Sequence, residues 1–242
     1  MGGVFGRAFL KGGSPVYPAL RGTPLDELAA AIALPELVLV TVGEADLDPA
    51  LAAVPDPWKD RVGLLQNELL PRDWVRHGIT EPTVAAVWFE KKPGQDVKVI
   101  IPTPVAGPCA ATVSSALAGI GIPAAAIADR DLLFELVRKN LYILTVNIAG
   151  LVTGGTVGEL WEHHETLARA VATDVLALQY WLCGEDLDSE LLIAGMVQAI
   201  AADPQHQATG RSAPSRLDRA LGHADSAGIS VPMLEQIKRD TN

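Results

Sequence analysis

The apolar stretch at residues 133–161 constrains the fold of this chain more than any other part of its sequence. Apolar residues recur along it at alternating spacings of three and four, which is the pattern of an amphipathic helix. This stripe consists of Phe134, Val137, Leu141, Leu144 and Ile148. A second apolar side is formed by Leu136, Ile143 and Val146. Because a helix that is apolar on two sides is buried, we predict a long, largely buried helix.

The end of this helix is marked in the sequence. Gly154 and Gly155 interrupt the apolar pattern, as glycines commonly do just beyond the C-terminal end of a helix. Thr156 and Glu159 then follow at the spacing of a capping box, in which each side chain accepts a hydrogen bond from the backbone of the other. We therefore predict that a new helix starts at Thr156.

Two polar residues, Lys139 and Asn147, lie on the second apolar side of the long helix. They are eight positions apart, which separates them by about 80° around the helix axis and about 12 Å along it, so both can face one cleft. Burial lowers the pKa of a lysine toward a value that is useful in proton transfer. The alternative interpretation is a lysine whose stem lies along the core while its charged head reaches water.

Lys139, Asn147 and the run Gly158-Glu159-Leu160 stand at the spacing found in the ketopantoate reductase family. This segment resembles the start of that family's C-terminal helical domain. The resemblance implies that Lys139 is a general acid and that Asn147 binds the substrate. The family carries a further asparagine four residues after the lysine, where this chain has Ile143. That departure removes one substrate contact.

The first residues carry part of a dinucleotide fingerprint. Gly3 and Gly6 fall where the second and third glycines of G-x-G-x-x-G stand, and Met1 replaces the first. The second glycine lets backbone approach a pyrophosphate, which would bind at the N-terminus of a helix beginning near Val4. The cofactor-binding residues predicted here are Gly2, Gly3, Val4, Phe5 and Gly6.

The fingerprint normally follows a strand, and no residues precede it here. We therefore expect that the first strand of the nucleotide-binding domain is missing. A glycine cluster at a chain start is otherwise typical of a flexible end. Residues 14–20 predict a short strand that ends at Arg21, and an arginine near this place accommodates the 2′-phosphate of NADP. The resemblance implies the same role, so we expect NADPH rather than NADH; the alternative is a solvated arginine in a turn. Thr23 is predicted to cap the next helix.

Two further apolar runs predict strands of a parallel sheet. Residues 36–42 have the continuous β-branched and leucine pattern of a strand buried on both faces, and residues 61–66 predict a shorter strand. Ligands bind at the carboxyl ends of such strands. The resemblance implies cofactor contacts from Val42, Gly43, Gln66 and Asn67. Asn67 is also predicted to orient the substrate, and its alternative role is to cap the next segment.

The remaining pattern completes a two-domain prediction. Strands are predicted at residues 83–89, 97–103 and 124–127, with a turn at Pro93 and Gly94 and a helix at 110–119. Helices are then predicted from Arg130 onward, at 156–181, at 187–202, after Ser212 and after Pro232. Strands with helices followed by helices alone indicate an α/β fold. A Rossmann-type, mostly parallel sheet domain at residues 1–129 precedes an all-α helical domain at 130–242, with the active site expected between them.

The C-terminal part also resembles the family, through Gly228-Ile229 followed by Val231-Pro232. Sixteen residues before this glycine the family has a substrate-binding glutamate, where this chain has Ser212. Arg211 and Arg216 lie nearby, the latter predicted on a helix surface. We therefore predict that Arg211 or Arg216 binds a substrate that is more acidic than ketopantoate, or phosphorylated.

Composition narrows the class of protein. The chain has 242 residues, 49% of them hydrophobic, and a net charge of −10 without a basic stripe. Nucleic acid and anionic membrane are therefore not expected as partners. Only Cys109 and Cys183 are present, which favours a cytoplasmic protein over a disulfide scaffold. His163 and His164 face apart on a helix, so no metal site is expected. Long apolar helices in the second half favour a homodimer.

These residues lead to three hypotheses for function. The first is an NADPH-dependent reductase of a small 2-oxo acid or related carbonyl compound, with Lys139 as the general acid. The second is a non-catalytic relative that keeps the fold and binds a nucleotide or a partner protein. The departures from the family's motifs and the missing strand favour it. The third is a dehydrogenase that oxidises a hydroxy acid with the same residues.

Overall fold

The computed structural model describes residues 1–32, 34–92 and 94–241 of the chain. They form two compact units, Met1–Glu135 and Leu136–Asn242. The division falls inside a helix that starts at Asp129, where the sequence predicts the domain boundary. Pro93, one residue of the predicted turn, lies outside the described residues. Its neighbour Gly94 has a φ of 73°, as expected of a turn glycine.

The first unit is built on a five-stranded, mostly parallel sheet. Its strands are β1 (Val38–Leu39), β2 (Val62–Leu64), β3 (Thr83–Ala85), β6 (Thr103–Ala106) and β7 (Ala124–Ala126), in the order β1-β2-β3-β6-β7. All neighbours are parallel except β3 and β6. A separate antiparallel pair is formed by β4 (Phe89–Glu90) and β5 (Lys98–Val99).

Two helices cover the core of this unit. The helices of the first unit are α1 (Gly2–Lys11), α2 (Leu25–Ala31), α3 (Leu47–Ala52), α4 (Pro71–Val75) and α5 (Ala110–Gly119), with 3₁₀ turns at Glu44–Asp46 and Asp56–Arg61. Helix α1 contributes Phe5 and α5 contributes Val113 and Leu117 to one apolar cluster. The ring of Phe5 lies 6.1 Å from that of Phe89. The start of the chain is therefore anchored in the core of the first unit.

The strand predicted at residues 14–20 is wrong. This segment is irregular and largely exposed, because Pro15 and Pro18 have no N–H group with which to bond a neighbouring strand. The predicted cap is wrong as well. Helix α2 follows Pro24, and the Thr23 hydroxyl instead accepts a hydrogen bond from Leu20 N at 2.9 Å.

Three other predicted elements differ in extent. Strand β1 is short and half-buried, rather than buried on both faces, because it lies at the edge of the sheet. The strands predicted at 83–89 and 97–103 each divide between the two sheets. Pro102 and Pro104 lack the N–H groups of a continuous ladder, and Trp88 N bonds the Thr103 hydroxyl instead.

The second unit is helical. Its helices are α6 (Asp129–Thr153, which begins in the first unit), α7 (Val157–His163), α8 (Glu165–Cys183), α9 (Ser189–Ala202), α10 (Ala213–Ala227) and α11 (Pro232–Asp240). The single helix predicted at 156–181 is wrong, because the backbone leaves the helical region at His164, beside a second weak helix former. The predicted helix α6 is confirmed.

The predicted capping box at the start of α7 is confirmed as well. Within it, hydrogen bonds from the Thr156 N–H and hydroxyl lower the pKa of the Glu159 carboxyl below its ordinary 4.5.

Two negative findings concern the part of the chain that the structure describes. None of its helices is both long and apolar enough to cross a membrane. No group of three or more His, Cys, Asp and Glu side chains in it is placed to hold a metal ion.

Helix α11 is held by a buried carboxylate on α8. Asp174 accepts hydrogen bonds from the N–H groups of Met233 at 2.8 Å and Leu234 at 3.1 Å, in the first turn of α11. Burial raises the pKa of the Asp174 carboxyl above its ordinary 3.8, and the two N–H groups oppose that rise. The carboxylate thus caps α11 at the cost of its own desolvation.

We expect Asp174→Ala to lower the free energy of unfolding by about 1–2 kcal/mol, because two N–H groups of α11 lose their acceptor. Asp174→Asn keeps an acceptor but cannot titrate. The folded protein binds the Asp174 proton at higher pH than the unfolded chain does. Wild type should therefore gain stability relative to Asp174→Asn as the pH falls through the raised pKa toward 3.8.

Urea unfolding of both proteins at neutral and mildly acidic pH measures this difference. Asp186→Asn, at an exposed loop carboxylate, is the matched control. A wild-type advantage that stays constant with pH would contradict the assignment.

Candidate functional site

Helix α6 is held in one rotation about its axis by the residues that flank Lys139. Asn140 donates a hydrogen bond to Gln179 of α8 at 3.0 Å, and both side chains are buried. On the other flank, Arg138 lies so close to Gly195 of α9 that a Cβ at this glycine would overlap it. These two contacts hold the part of α6 that carries Lys139 against α8 and α9.

Lys139 is almost completely buried. Its side chain is only 2% exposed, and the ammonium nitrogen itself is shielded from solvent. The alternative interpretation, in which the head of this lysine reaches water, is therefore wrong. A lysine buried to this degree is costly to the fold unless a partner group offsets the cost, and such residues are concentrated at functional sites.

Asn147 lies two turns further along α6 and bonds two other segments. Its Nδ2 donates to the carbonyl oxygen of Ala208 at 3.2 Å, and its Oδ1 accepts from Nη1 of Arg216 at 2.7 Å. Two residues that the sequence singled out separately, Asn147 and Arg216, are thus in direct contact.

Arg216 is buried rather than on the helix surface. It is 8% exposed at the second turn of α10, so its predicted surface position is wrong. The reason is the contact with Asn147, which draws the guanidinium inward and which helical periodicity does not reveal. Arg211, by contrast, is exposed in the turn before α10. Its side chain makes no hydrogen bond or ion pair with any residue that the structure describes.

The loop that carries Ala208 is fixed on both sides. Its carbonyl groups at Pro204 and His206 accept hydrogen bonds from Gly158 N and Val157 N at the start of α7, at 2.9 and 2.8 Å. On the other side it lies against Gly150 of α6, where an added Cβ would come within 3.0 Å of Ala208 and Thr209. The acceptor that Asn147 uses is therefore rigidly placed.

In the first unit, the predicted fingerprint residues form the first turns of α1. Val4 and Phe5 are buried, and their N–H groups bond Met1 O at 2.8 and 3.4 Å. Gly3 faces open space, with no atom within 4 Å of an added Cβ. Gly2 makes the close approach instead, since a Cβ there would lie 2.8 Å from the Thr41 hydroxyl, just beyond β1.

Gly6 has no such constraint. An added Cβ would make only an ordinary contact of 3.9 Å with Val16. The close helix–sheet packing that the fingerprint attributes to its third glycine is therefore not needed at this position among the described residues.

The carboxyl ends of β1 and β2 are joined by Gln66. This buried side chain donates to Val40 O at 2.8 Å and to Val42 O at 3.3 Å, and accepts from Leu65 N at 3.0 Å. Both amide hydrogens of Gln66 are thus used within the protein. Gly43 follows directly and begins the 3₁₀ turn Glu44–Asp46.

Asn67 stands at the end of the same strand with its side chain available. It is half-buried, and its amide makes no hydrogen bond within the described part of the chain. It does not cap the next segment, so that alternative is wrong. Helix α4 begins at Pro71, and the Asp73 carboxylate accepts from Leu70 N at 2.8 Å there.

Arg21 lies in an exposed turn and pairs with Asp46. The two side chains are 3.2 Å apart, and that of Arg21 is 90% exposed. Asp46 belongs to the 3₁₀ turn in the segment after β1, so the ion pair joins Arg21 to that segment. An exposed pair of this kind adds little to stability, which leaves the guanidinium free to rearrange.

Comparison with known proteins identifies the fold. Neither a protein-family model nor a curated protein matches the sequence. A ketopantoate reductase from Ralstonia eutropha JMP134 matches with a TM-score of 0.66 at 18% identity, over 99% of this chain and 92% of that one. A dimeric ketopantoate reductase from Staphylococcus aureus matches with a TM-score of 0.59 at 12% identity, over 85% and 76% of the two chains.

A D-mandelate dehydrogenase, solved with NADH and anilino(oxo)acetate, matches with a TM-score of 0.58 at 15% identity, over 85% of this chain and 74% of that one. The fold class predicted from the sequence is therefore confirmed. This chain has the fold of the ketopantoate reductases, a sheet domain followed by a helical domain.

Sequence reasoning missed several contacts that position the site. Gln179, Gly195 and the Ala208 carbonyl have no motif of their own. The signal that could have revealed one of them is Asn140, a second polar residue next to Lys139 in an apolar helix, which requires a buried partner. Gly150 was also visible, since a glycine inside a long helix indicates a close approach.

We expect Gly150→Ala to lower the free energy of unfolding by about 1–2 kcal/mol. The added Cβ must displace backbone at Ala208 and Thr209, which outweighs the higher helix propensity of alanine. Thermal unfolding measures the change. Gly222→Ala in α10, where nothing lies within 4 Å, is the control and should be neutral or stabilising. A Gly150→Ala protein more stable than wild type would show that the loop at Ala208 and Thr209 does not pack tightly against α6.

Proposed function

We propose that this chain is a nicotinamide-dependent reductase of a small 2-oxo acid, related to the ketopantoate reductases. The observation that carries the proposal is Lys139, a buried lysine on a helix held in one rotation. Asn147 lies two turns away on the same helix, fixed by two hydrogen bonds. The fold, and the NADH bound to one protein that shares it, support a nicotinamide cofactor.

The first unit has residues that fit the pyrophosphate of such a cofactor. Gly3 faces open space in the first turn of α1, a helix of 10 residues. The N-terminus of a helix favours phosphate through its free N–H groups and its dipole. Gly2 shares this turn. Val4 and Phe5 hold the turn in place, because their side chains are in the core and their N–H groups bond Met1 O. Beyond β1 and β2, Val42, Gly43 and Asn67 would line the cofactor, and Gln66 would hold their backbone in place.

Arg21 supports a preference for NADPH over NADH. It is an exposed guanidinium, paired with Asp46 in the segment after β1. A guanidinium binds a phosphate group through two parallel hydrogen bonds, so a 2′-phosphate could replace the carboxylate of Asp46 as its partner.

The proposed reaction divides between cofactor and protein. When bound, a reduced nicotinamide supplies a hydride to the carbonyl carbon of the substrate. Lys139 holds a proton on Nζ and donates it to the carbonyl oxygen, which gives a 2-hydroxy acid and a neutral lysine. The lysine must then regain a proton before the next turnover. Asn147 and Asn67 orient the substrate.

We further propose a cytoplasmic homodimer. A ketopantoate reductase with the same fold is described as dimeric. The second unit also exposes the large apolar side chains of Val152, Trp181 and Leu191, which a second copy could cover. The two cysteines are free and half-buried, as is usual in a reducing compartment.

Replacing the general acid should abolish catalysis without removing the cofactor. We expect Lys139→Met, which keeps most of the side-chain volume, to lower turnover of 2-oxo acids by about 10²–10⁴-fold, because no proton donor remains. NADPH affinity should stay within about twofold of wild type. Steady-state kinetics and fluorescence titration measure the two quantities, with the surface variant Lys238→Ala as control. Undiminished turnover in Lys139→Met would remove the mechanism and favour a role that does not involve catalysis.

Filling the open space at Gly3 should impair cofactor binding alone. We expect Gly3→Ala to weaken NADPH binding by about ten- to a hundredfold, since the Cβ would occupy the space proposed for phosphate. Stability should not fall, because no atom lies within 4 Å and alanine is the better helix former. Gly119→Ala in the same unit, also without neighbours, is the control.

Titration of wild type with NADPH and NADH in parallel tests the preference assigned to Arg21. Tighter binding of NADH would contradict that assignment. Equal affinity of Gly3→Ala and wild type for both nucleotides would place the cofactor elsewhere.

A further inference from the structure

We propose that Arg216 is a positioning residue that sets substrate specificity by fixing the amide of Asn147 in one orientation. The inference rests on the proposed function, in which Asn147 binds the substrate. We infer in addition that the substrate presents a hydrogen-bond acceptor to Asn147. The class of substrate with an acceptor at this place is a 2-oxo acid that carries a second carboxylate at the opposite end.

The amide orientation follows from the chemistry of its two partners. A guanidinium can only donate hydrogen bonds, so the amide atom 2.7 Å from Nη1 of Arg216 must be oxygen. A carbonyl oxygen can only accept, so the amide atom 3.2 Å from Ala208 O must be nitrogen. Rotating the amide by half a turn would place two donors together on one side and two acceptors on the other. A single orientation is therefore imposed on Asn147.

Both partners are themselves held in place. Arg216 is buried within α10, and Ala208 belongs to the loop fixed by α7 and Gly150. The bond from Arg216 is charge-assisted and short, which makes it one of the stronger hydrogen bonds available to an amide. The amide of Asn147 cannot turn over to present its oxygen to a substrate, so only a substrate with a hydrogen-bond acceptor at this place can bond it.

The amide group that remains for a substrate is a donor. Ala208 uses one hydrogen of Nδ2, and the second hydrogen is left on a half-buried side chain. Because Arg216 withdraws electron density through the amide oxygen, it strengthens this N–H as a donor. A carboxylate oxygen accepts from this donor in a charge-assisted hydrogen bond, while a hydroxyl is a neutral and weaker acceptor and a methyl group accepts nothing.

The distance between Lys139 and Asn147 indicates which group of the substrate Asn147 binds. The two residues are about 12 Å apart along the axis of α6, so Asn147 does not contact the oxygen that Lys139 protonates. Asn147 instead binds a separate group at the other end of the substrate. A small 2-oxo acid with a terminal carboxylate has an acceptor at that end.

Three 2-oxo acids of equal chain length test the proposal. They are 2-oxoglutarate, with a terminal carboxylate, 5-hydroxy-2-oxopentanoate, with a terminal hydroxyl, and 2-oxopentanoate, with a methyl group. We expect wild type with NADPH to prefer the first over the second by about tenfold or more in kcat/KM, mainly through KM.

Arg216→Met removes the donor while keeping an unbranched apolar stem, so only the longer bond to Ala208 O still orients the amide. We expect the preference to fall to about twofold with kcat unchanged, and Arg216→Lys to restore part of it by returning a charged donor. A purely structural loss would instead lower kcat for all three substrates alike. Arg219→Met, on the exposed side of the same helix, should keep the wild-type preference.

Asn147→Asp is a second variant that does not disturb Arg216. Its carboxylate still accepts from the guanidinium but offers no donor, so the preference for 2-oxoglutarate should be lost. The proposal is overturned if wild type prefers the hydroxyl compound or does not discriminate. It is also overturned if Arg216→Met keeps the full preference. If wild type reduces none of the three acids, the proposed function fails, and this inference fails with it.

Discussion

The candidate site of the second unit depends on the burial of charged and polar groups along one helix. An apolar helix such as α6 could rotate or slide at little cost if only leucine and valine faced its neighbours. Asn140, bonded to Gln179, and Asn147, bonded to Ala208 and Arg216, remove that freedom because each would leave a buried group unsatisfied after a small shift. Lys139 directly precedes the first of these anchors, Asn140, and lies two turns before the second, Asn147.

Much of the fold could be predicted from the sequence because local rules decide it. The stripe that defines α6, the glycines that end it and the Thr156 capping box are all interactions between residues close in sequence, and the structure has them. Helix α5 was predicted at its observed bounds for the same reason. Failures had two causes, which are a local group that the apolar pattern overlooks and a contact with a distant group. Residues 14–20 have the composition of a strand, yet the two prolines leave too few N–H groups to bond a neighbour.

The candidate site shows the same division. Lys139 and Asn147 could be singled out because polar residues in an apolar pattern are conspicuous, whatever surrounds them. The burial of Arg216 could not be predicted, since nothing in the local sequence of α10 distinguishes this arginine from the other polar residues of the helix. Only the partner on α6, 69 positions earlier in the chain, explains why a guanidinium turns inward. Contacts of such high sequence separation leave no periodic signal in the sequence.

The departures from the ketopantoate reductase pattern are connected through this contact. Where the resemblance implies a substrate-binding glutamate the chain has Ser212, and an arginine one turn later reaches Asn147 instead. In the proposed site, a donor that acts through an amide would thus stand in place of an acceptor that the resemblance implies. The loss of the family's second asparagine at Ile143 removes a neighbouring amide as well. If the proposed function holds, these differences fit a site altered in the kind of group it binds better than simple decay, because decay would not supply a buried arginine with a well-placed acceptor.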